Sequence, residues 1–384
     1  MRKKSLKIIC LKMGGPVAPV VIEDCLWGLR ELGHKASLFT LRESEEYAKK
    51  SLLLEIERER PDLLFCLNHL PFLKEVAELK KIPAILWFIE NPFWWLTKET
   101  VSPYFHIFLW DRFYLEKVGD LGFKNVHWLP MAANPSVFKR LTLESEEKAR
   151  FESPISFVGD SIFPHYQRHY LSLKDQRVKG LAARIIEIQA KDPGKDIDRI
   201  LEETAKEMDI SFSFDGLDPG QRQHLLLDLE NAASSMYRKE VVEELAPLGI
   251  CVYGDAGWEK LLEQKIDFRG YIPNRTELPL VFNASEINLN ISKVQLKTTL
   301  GMRVFDCLAC GGFLLSDWRQ DFEKLFAPGV EVAIFKDKKE LLEAATYFLR
   351  NPKLRLEMAV AGQNRVLSDH TYKKRMEEML SMIS

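Results

Sequence analysis

Leu289–Trp318, LNISKVQLKTTLGMRVFDCLACGGFLLSDW, is the stretch from which the fold can be read. Ile287, Leu289 and Ile291 alternate with Asn288 and Asn290, which predicts a strand with one apolar face. A polar loop follows from Ser292 to Thr299, carrying Lys293, Lys297, Thr298 and Thr299. Gly301 then releases the chain into a helix, Met302–Cys310, with Arg303 and Asp306 expected in its first turn. Gly311-Gly312 stop that helix, and Phe313-Leu314-Leu315 begin another buried strand. Strand, loop, helix, glycine pair and strand make a βαβ unit, whose loop and helix N-terminus face ligand at the carboxyl edge of the sheet. Free amides and the helix dipole there favour phosphate, and a carboxylate one turn in can accept from ribose hydroxyls. The stretch outlines a nucleotide-sugar site.

Upstream, the first part of the chain alternates strand and helix. Strands are expected at Leu6–Met13, Ala36–Leu41, Asp62–Asn68, Ala84–Ile89, Ile107–Trp110 and Val126–Leu129. Helices are expected between them, closed by Gly33 or ending before Pro61 and Pro83. Continuous apolar strands separated by helices predict a parallel sheet covered on both faces. Residues 1–138 are therefore read as one Rossmann-like, doubly wound domain. The charged run around Leu143–Lys148 reads as a solvated linker or surface helix, and the domain boundary is expected between 136 and 154. A second domain of the same class is expected over 155–368, opening on Ile155–Val158, with strands again at Ile250–Tyr253 and Asp267–Phe268. Between about 166 and 246 the chain is rich in Lys, Glu, Leu and Ala, which predicts a helical insertion. Gly194 and Pro219-Gly220 divide it into three helices.

The composition narrows the function classes. A formal net charge of −2 offers no general attraction to nucleic acid. No stretch approaches the length of a membrane span, and the basic N-terminus is followed by too short an apolar run for a secretory signal. These features point to a cytoplasmic protein. The six cysteines lie mostly in apolar stretches; Cys307 and Cys310 share a helix with no second pair, which favours packing over metal or redox chemistry.

Arg303 to Asp317, RVFDCLACGGFLLSD, resembles the R-x-F-E-x-L-A-C-G-G-x-L-L-S-D block of two-domain (GT-B) glycosyltransferases, in particular those grouped with the spore-maturation protein CgeB. Ile155–Asp160, Val252-Tyr253-Gly254, Phe268–Ile272 and Asp369–Arg375 resemble the same group in the same order. The resemblance implies two Rossmann-like domains of the GT-B type. It also implies an acceptor side in 1–138, a donor side in 155–368, and a C-terminal helix in 369–384 packing toward the first domain. Related retaining transferases place a glutamate seven positions before the ribose-binding acid, where this chain has Thr299, and the acid itself is Asp306 instead of Glu.

The implied function is transfer of a sugar, as by a hexosyltransferase, from a nucleotide-diphosphate donor to a protein, glycan or lipid-linked glycan. The charge on a departing diphosphate can be met by Arg303, Lys297 and the helix terminus, so neither a metal nor any cofactor beyond the donor substrate is expected. Two other readings stay open: an inactive GT-B-fold binding protein, and a nucleotide-sugar epimerase on the same fold. On the donor side, Arg303 is expected on the diphosphate and Asp306 on the ribose. The alternative for Arg303 is an ion pair with Asp306, three residues along the helix. Lys297, Thr298 and Thr299 are candidate phosphate contacts, and Asn290 ends the strand before them. Gly159, Asp160 and Ser161 follow the first strand of the second domain. Tyr253, Gly254, Tyr271 and Ile272 are candidates to receive the base, with Tyr271 as core filler the competing reading. On the acceptor side, Gly14, Gly15, Asn68, His69, Glu90, Asn91 and Asp111 all follow strands of the first domain. His69 or Glu90 is the candidate general base. The cluster Phe88, Phe93, Trp94, Trp95 is either core or an acceptor platform.

Overall fold

Short apolar runs such as Leu63–Leu67 and Ala84–Phe88 are buried along their whole length in the computed structural model, as strands covered on both faces must be. The structure describes residues 5–383 apart from 13, 16, 41–43, 172, 193 and 211–218. The expected strand ends Met13 and Leu41 thus lie outside the described residues. The chain divides into two compact units, Met1–Asn134 with Ser368–Ser384, and Pro135–Leu367.

In the first unit, β1 (Lys7–Lys12), β2 (Lys35–Thr40), β3 (Leu63–Leu67), β4 (Ala84–Phe88), β5 (Phe105–Leu109) and β6 (Val126–Trp128) form one sheet in the order β2-β1-β3-β4-β5-β6. Every pairing is parallel. The order reverses between β1 and β3, which makes the loops leaving those two strands the flanks of a topological switch point. Those loops carry Gly14-Gly15 and Asn68-His69. The core is continuous; Trp87 is fully buried and its indole N–H donates to the Leu129 carbonyl at 3.0 Å.

The last helix, Tyr372–Met382, belongs to this unit. It packs on the helix Ala18–Glu31 at Gly28, where a Cβ would stand 2.7 Å from the Tyr372 carbonyl oxygen. Backbone bonds Ala133 N–H to His370 O and Tyr372 N–H to Ala133 O, each 3.0 Å, join it to the end of the unit. The buried Arg375 adds bonds to the Pro130 and Met131 carbonyls.

In the second unit, β7 (Ser153–Val158), β8 (Ile250–Tyr253), β9 (Asp267–Phe268), β10 (Ser285–Asn290), β11 (Leu314–Asp317) and β12 (Ala333–Phe335) form a second parallel sheet, ordered β12-β11-β10-β7-β8-β9. The switch point falls between β7 and β10. β12 has no counterpart in the sequence reading, because three residues are too few to show a period.

The insertion differs in detail from its expected form. A short helix Phe163–Tyr166 and a π-helical turn Gln167–Leu171 precede helices Gln176–Lys191, Ile197–Glu207 and Pro219–Glu244. Pro219 opens the last of these, as proline does at a first helical position. Arg238 lies in the final part of that 26-residue helix. Leu181, Ile185, Ile200, Leu201 and Leu229 give the insertion a small core of its own.

Candidate functional site

The helix leaving β10 runs from Met302 to Ala309, one residue shorter than expected. Its buried face, Val304, Phe305, Cys307 and Leu308, seats it on the sheet. Gly312 permits the tight return to β11: a Cβ there would meet the Phe282 carbonyl oxygen and Asn288 Nδ2 at 2.7 Å. Burial pushes the Cys307 and Cys310 thiols up, which keeps both neutral as packing groups.

Asp306 lies in the second helical turn, not the first, and is 1% exposed. Arg303 reaches it, Nη1 to Oδ2, at 3.2 Å, while the guanidinium itself stays about a third exposed. The ion pair weighed above is therefore formed, with the Arg303 side chain still partly exposed. Turned so that its oxygen faces Arg303, the Asn274 amide accepts from Nη1 and Nη2 at 3.0 Å, tying the loop after β9 to the same helix.

At the switch point stands Arg238, a residue the sequence reading did not place in the site. It is 7% exposed. Nη1 donates to the Asp160 carbonyl at 2.6 Å and Nη2 to the Ile291 carbonyl at 3.1 Å, so one guanidinium bridges the loops leaving β7 and β10. The Phe157 ring lies under it at 5.5 Å. Burial lowers its pKa to about 10, and it remains a cation at neutral pH.

The neighbouring turns are tightly packed. Ser161, fully buried, donates from its amide and hydroxyl to Asp255, at 2.5 and 2.8 Å, and accepts from the Phe163 amide. It closes a turn at the end of β7. Asp160 is exposed. Gly254 allows the β7 and β8 loops to touch; a Cβ there would collide with the Gly159 carbonyl oxygen and Trp258 Nε1. Trp258 in turn donates to Gly159 O at 2.8 Å. Tyr253 is buried and its hydroxyl accepts from Arg269 at 3.1 Å. Ile272 is buried, but Tyr271 is 78% exposed and is no core filler.

The loop after β10 is more enclosed than its composition implied. Lys297 is buried, with its ammonium donating to Glu230 at 2.8 Å and to the Lys195 carbonyl at 3.2 Å. Its charge anchors the insertion, so it is not the exposed phosphate contact a loop lysine suggested. Thr299 is fully buried and Thr298 lies 3.4 Å from Asp321. Asn290 donates to Ser316 at 2.9 Å, and Asp317 accepts from the amide and hydroxyl of Ser292 at 3.0 and 2.9 Å.

In the first unit, the acceptor-side candidates separate by role. Asn68 adopts φ 56°, an uncommon backbone state for a residue with a side chain. Its Oδ1 accepts from the Ile89 amide at 3.0 Å, and its Nδ2 lies 3.5 Å from Glu90. His69 is buried against Phe105, its Nε2 has no hydrogen-bond partner, and burial lowers its pKa to about 4. Glu90 is exposed. Asn91 and Asp111 cap short turns, accepting from the Phe93 and Phe113 amides, each at 3.0 Å. Gly14 and Gly15 are exposed, Gly15 with φ +103°. Trp94 and Trp95, rings 5.5 Å apart, are half-buried. Among the described residues no cluster of three or more metal-ligating side chains occurs, and no helix is long and apolar enough to cross a membrane.

Residues 238–381 match the family model described as glycosyl transferase-like. No curated protein matches the chain. Its fold is that of GT-B glycosyltransferase structures. A glycosyltransferase from Rickettsia africae superposes with a TM-score of 0.59 at 10% identity, covering 99% of this chain and 98% of that one. HepE of Anabaena, in complex with UDP and glucose, gives 0.57 at 10% identity over 98% and 99%. A sucrose-phosphate synthase from Thermosynechococcus elongatus gives 0.54 at 11% identity over 98% of each chain.

Proposed function

We propose that the chain is a metal-independent glycosyltransferase, taking a hexose from a nucleotide-diphosphate donor bound by the second unit to an acceptor bound by the first. The observation that carries this reading is the Arg303–Asp306 arrangement on the helix that leaves β10, within the stretch matching the glycosyl transferase-like family. Arg303 and the orphan amides of the first helical turn offer donors to a diphosphate, and the buried Asp306 carboxylate offers an acceptor to ribose. Gly159, Gly254, Tyr271 and Ile272, on loops at the same sheet edge, are left to wall the base. A structurally similar protein, HepE of Anabaena, has a crystal structure in complex with UDP-glucose, which makes a uridine donor the first to test.

In the transfer, the acceptor oxygen bonds to the anomeric carbon as its bond to the diphosphate breaks. The negative charge on the leaving diphosphate is met by Arg303 and the helix terminus. The acceptor proton needs a base, and Glu90 suits that task better than His69. An imidazole with a pKa near 4 is a weak base, and its burial removes it from an acceptor, whereas Glu90 is exposed beside Asn68. The acceptor class proposed is a protein, glycan or lipid-linked glycan.

The test is a thermal-shift series with UDP, GDP and dTDP and their hexose conjugates, followed by mass spectrometry for hexose transfer or donor hydrolysis. One diphosphate should raise the unfolding temperature well beyond its nucleoside. If none does at millimolar concentration, the reading fails. A second reading, a donor-binding protein without turnover, is favoured by one observation: Thr299, fully buried, stands where related retaining enzymes carry a glutamate. Stabilisation by a donor that is neither transferred nor hydrolysed would select it.

A further inference from the structure

A cavity of about 650 Å³ lies within the second unit, between the helical insertion and the carboxyl ends of β11 and β12. Its volume falls in the range, roughly 300–1,000 Å³, where small molecules bury most of their surface. Neither Arg303 nor Asp306 lines it. One wall carries Tyr166 and Tyr170, stacked with centroids 5.0 Å apart and planes at 25°. The other carries Trp318, with Lys336 over its ring at 5.9 Å, and Tyr237 and Arg319 contribute between them.

The cavity is held open by fixed structure on both sides. The insertion has its own core, and Lys297–Glu230 with Val294 against Ala232 and Ala233 pins it to the loop after β10. Five basic and five acidic side chains line the space. Most are paired with one another or with a neighbour: Lys191 with Glu187 at 2.7 Å, Lys338 with Glu240 at 2.6 Å, Arg319 with Asp317 at 3.0 Å. Such a lining has no net field to draw in a polyanion, which argues against a second nucleotide. Arg319, 4% exposed, has an Nη2 with no partner in this wall.

Aromatic faces beside paired carboxylates and ammonium groups match one ligand chemistry well. The C–H faces of a sugar ring pack on aromatic rings, and each hydroxyl can donate to a carboxylate and accept from an N–H. We propose that this cavity binds a neutral saccharide, at a site distinct from that of the diphosphate. The binding claim stands without the transferase reading; only the source of the saccharide depends on it.

Saturation-transfer NMR on the full chain tests this, with maltotriose, cellotriose and diacetylchitobiose as probes and UDP titrated separately. At least one probe should receive saturation, and Tyr170→Ala and Trp318→Ala should each weaken its binding by about tenfold. Trp318→Phe, which keeps a ring, should retain most of it, and UDP affinity should not move in any variant. No transfer to any probe, transfer surviving both alanine substitutions, or an equal loss of UDP binding would each overturn the proposal. Loss of UDP binding in the parent protein, with a saccharide still bound, would instead sink the donor assignment alone. Incubation with UDP-glucose then separates two sources. A probe that gains one hexose is part of an acceptor chain; one of unchanged mass is a free saccharide ligand.

Discussion

Arg303 and Asp306 form an ion pair at 3.2 Å across one turn of the helix that follows β10, with the carboxylate buried and the guanidinium partly exposed. The asymmetry gives the two residues different expected phenotypes. Arg303→Ala should weaken nucleoside-diphosphate binding by about 2–3 kcal/mol, the scale of a charged hydrogen-bonding partner. Nucleoside binding should change far less. Equal diphosphate affinity in parent and variant, measured by calorimetry, would remove Arg303 from the site.

Asp306→Asn should act on nucleoside and diphosphate alike, because the proposed ribose contact is common to both. The expected loss is on the order of 1–3 kcal/mol, smaller for a 2′-deoxy ligand if that hydroxyl is the one held. Its burial adds a stability cost from weakening the pair with Arg303. A lowered unfolding temperature with intact affinity would reduce Asp306 to a structural partner of Arg303.

Arg238 joins the loops leaving β7 and β10 through the Asp160 and Ile291 carbonyls. Arg238→Met deprives two acceptors of a charged donor and should cost about 3 kcal/mol. Arg238→Lys keeps the charge but cannot reproduce the fork, so its cost should be intermediate. Denaturant unfolding measures both. A methionine variant as stable as the parent would contradict the bridging role.

Gly28→Ala sets a local preference against a tertiary contact. Alanine in a helix interior is worth about 1 kcal/mol over glycine. Here, however, the new Cβ would stand 2.7 Å from the Tyr372 carbonyl oxygen, backbone that cannot step aside. Overpacking of that kind costs about 1–3 kcal/mol. The net effect should be destabilising, with earlier proteolysis of the C-terminal helix. An alanine variant more stable than the parent would show that the helix is not held against Gly28.

The pH dependence of stability should carry the mark of His69. Burial holds its folded-state pKa at about 4, below the ordinary 6.5, so the unfolded chain takes up a proton that the folded chain refuses. Stability is therefore unaffected above 6.5 and falls as pH drops from 6.5 toward 4, by on the order of 3 kcal/mol. His106 and His127, also lowered by burial, act in the same direction and remain in a His69→Gln variant. The variant should show a shallower acid limb in denaturant titrations at pH 7, 5.5 and 4.5. Parallel limbs would mean that His69 titrates normally.

Much of the architecture was legible because strands buried on both faces write themselves as continuous apolar runs. Ile250–Tyr253 and Asp267–Phe268 stand where the sequence put them, and the other expected strands shift at their ends by a residue or two. β12, three residues long, carried no readable period. In the candidate site, Arg303 and Asp306 were visible because a glycine pair, a loop and a helix start surround them in sequence. Arg238 was not, since its partners Asp160 and Ile291 lie 78 and 53 residues away.

What the sequence determined by itself is local: apolar period, glycine and proline punctuation, and hence two series of parallel strands linked by helices. Those signals act between residues a few positions apart, where backbone geometry alone sets who faces whom. The tertiary structure decided which strand ends stand side by side, and with them the fate of each polar residue. Lys297 became an anchor for the insertion when Glu230 arrived beside it. Ser161 became a turn-closing donor to Asp255. Burial made His69 a neutral imidazole and left Glu90 in solvent. Charge state and hydrogen-bond partnership depend on the dielectric and the neighbours a group receives from distant segments, and only the folded sheet order supplies them.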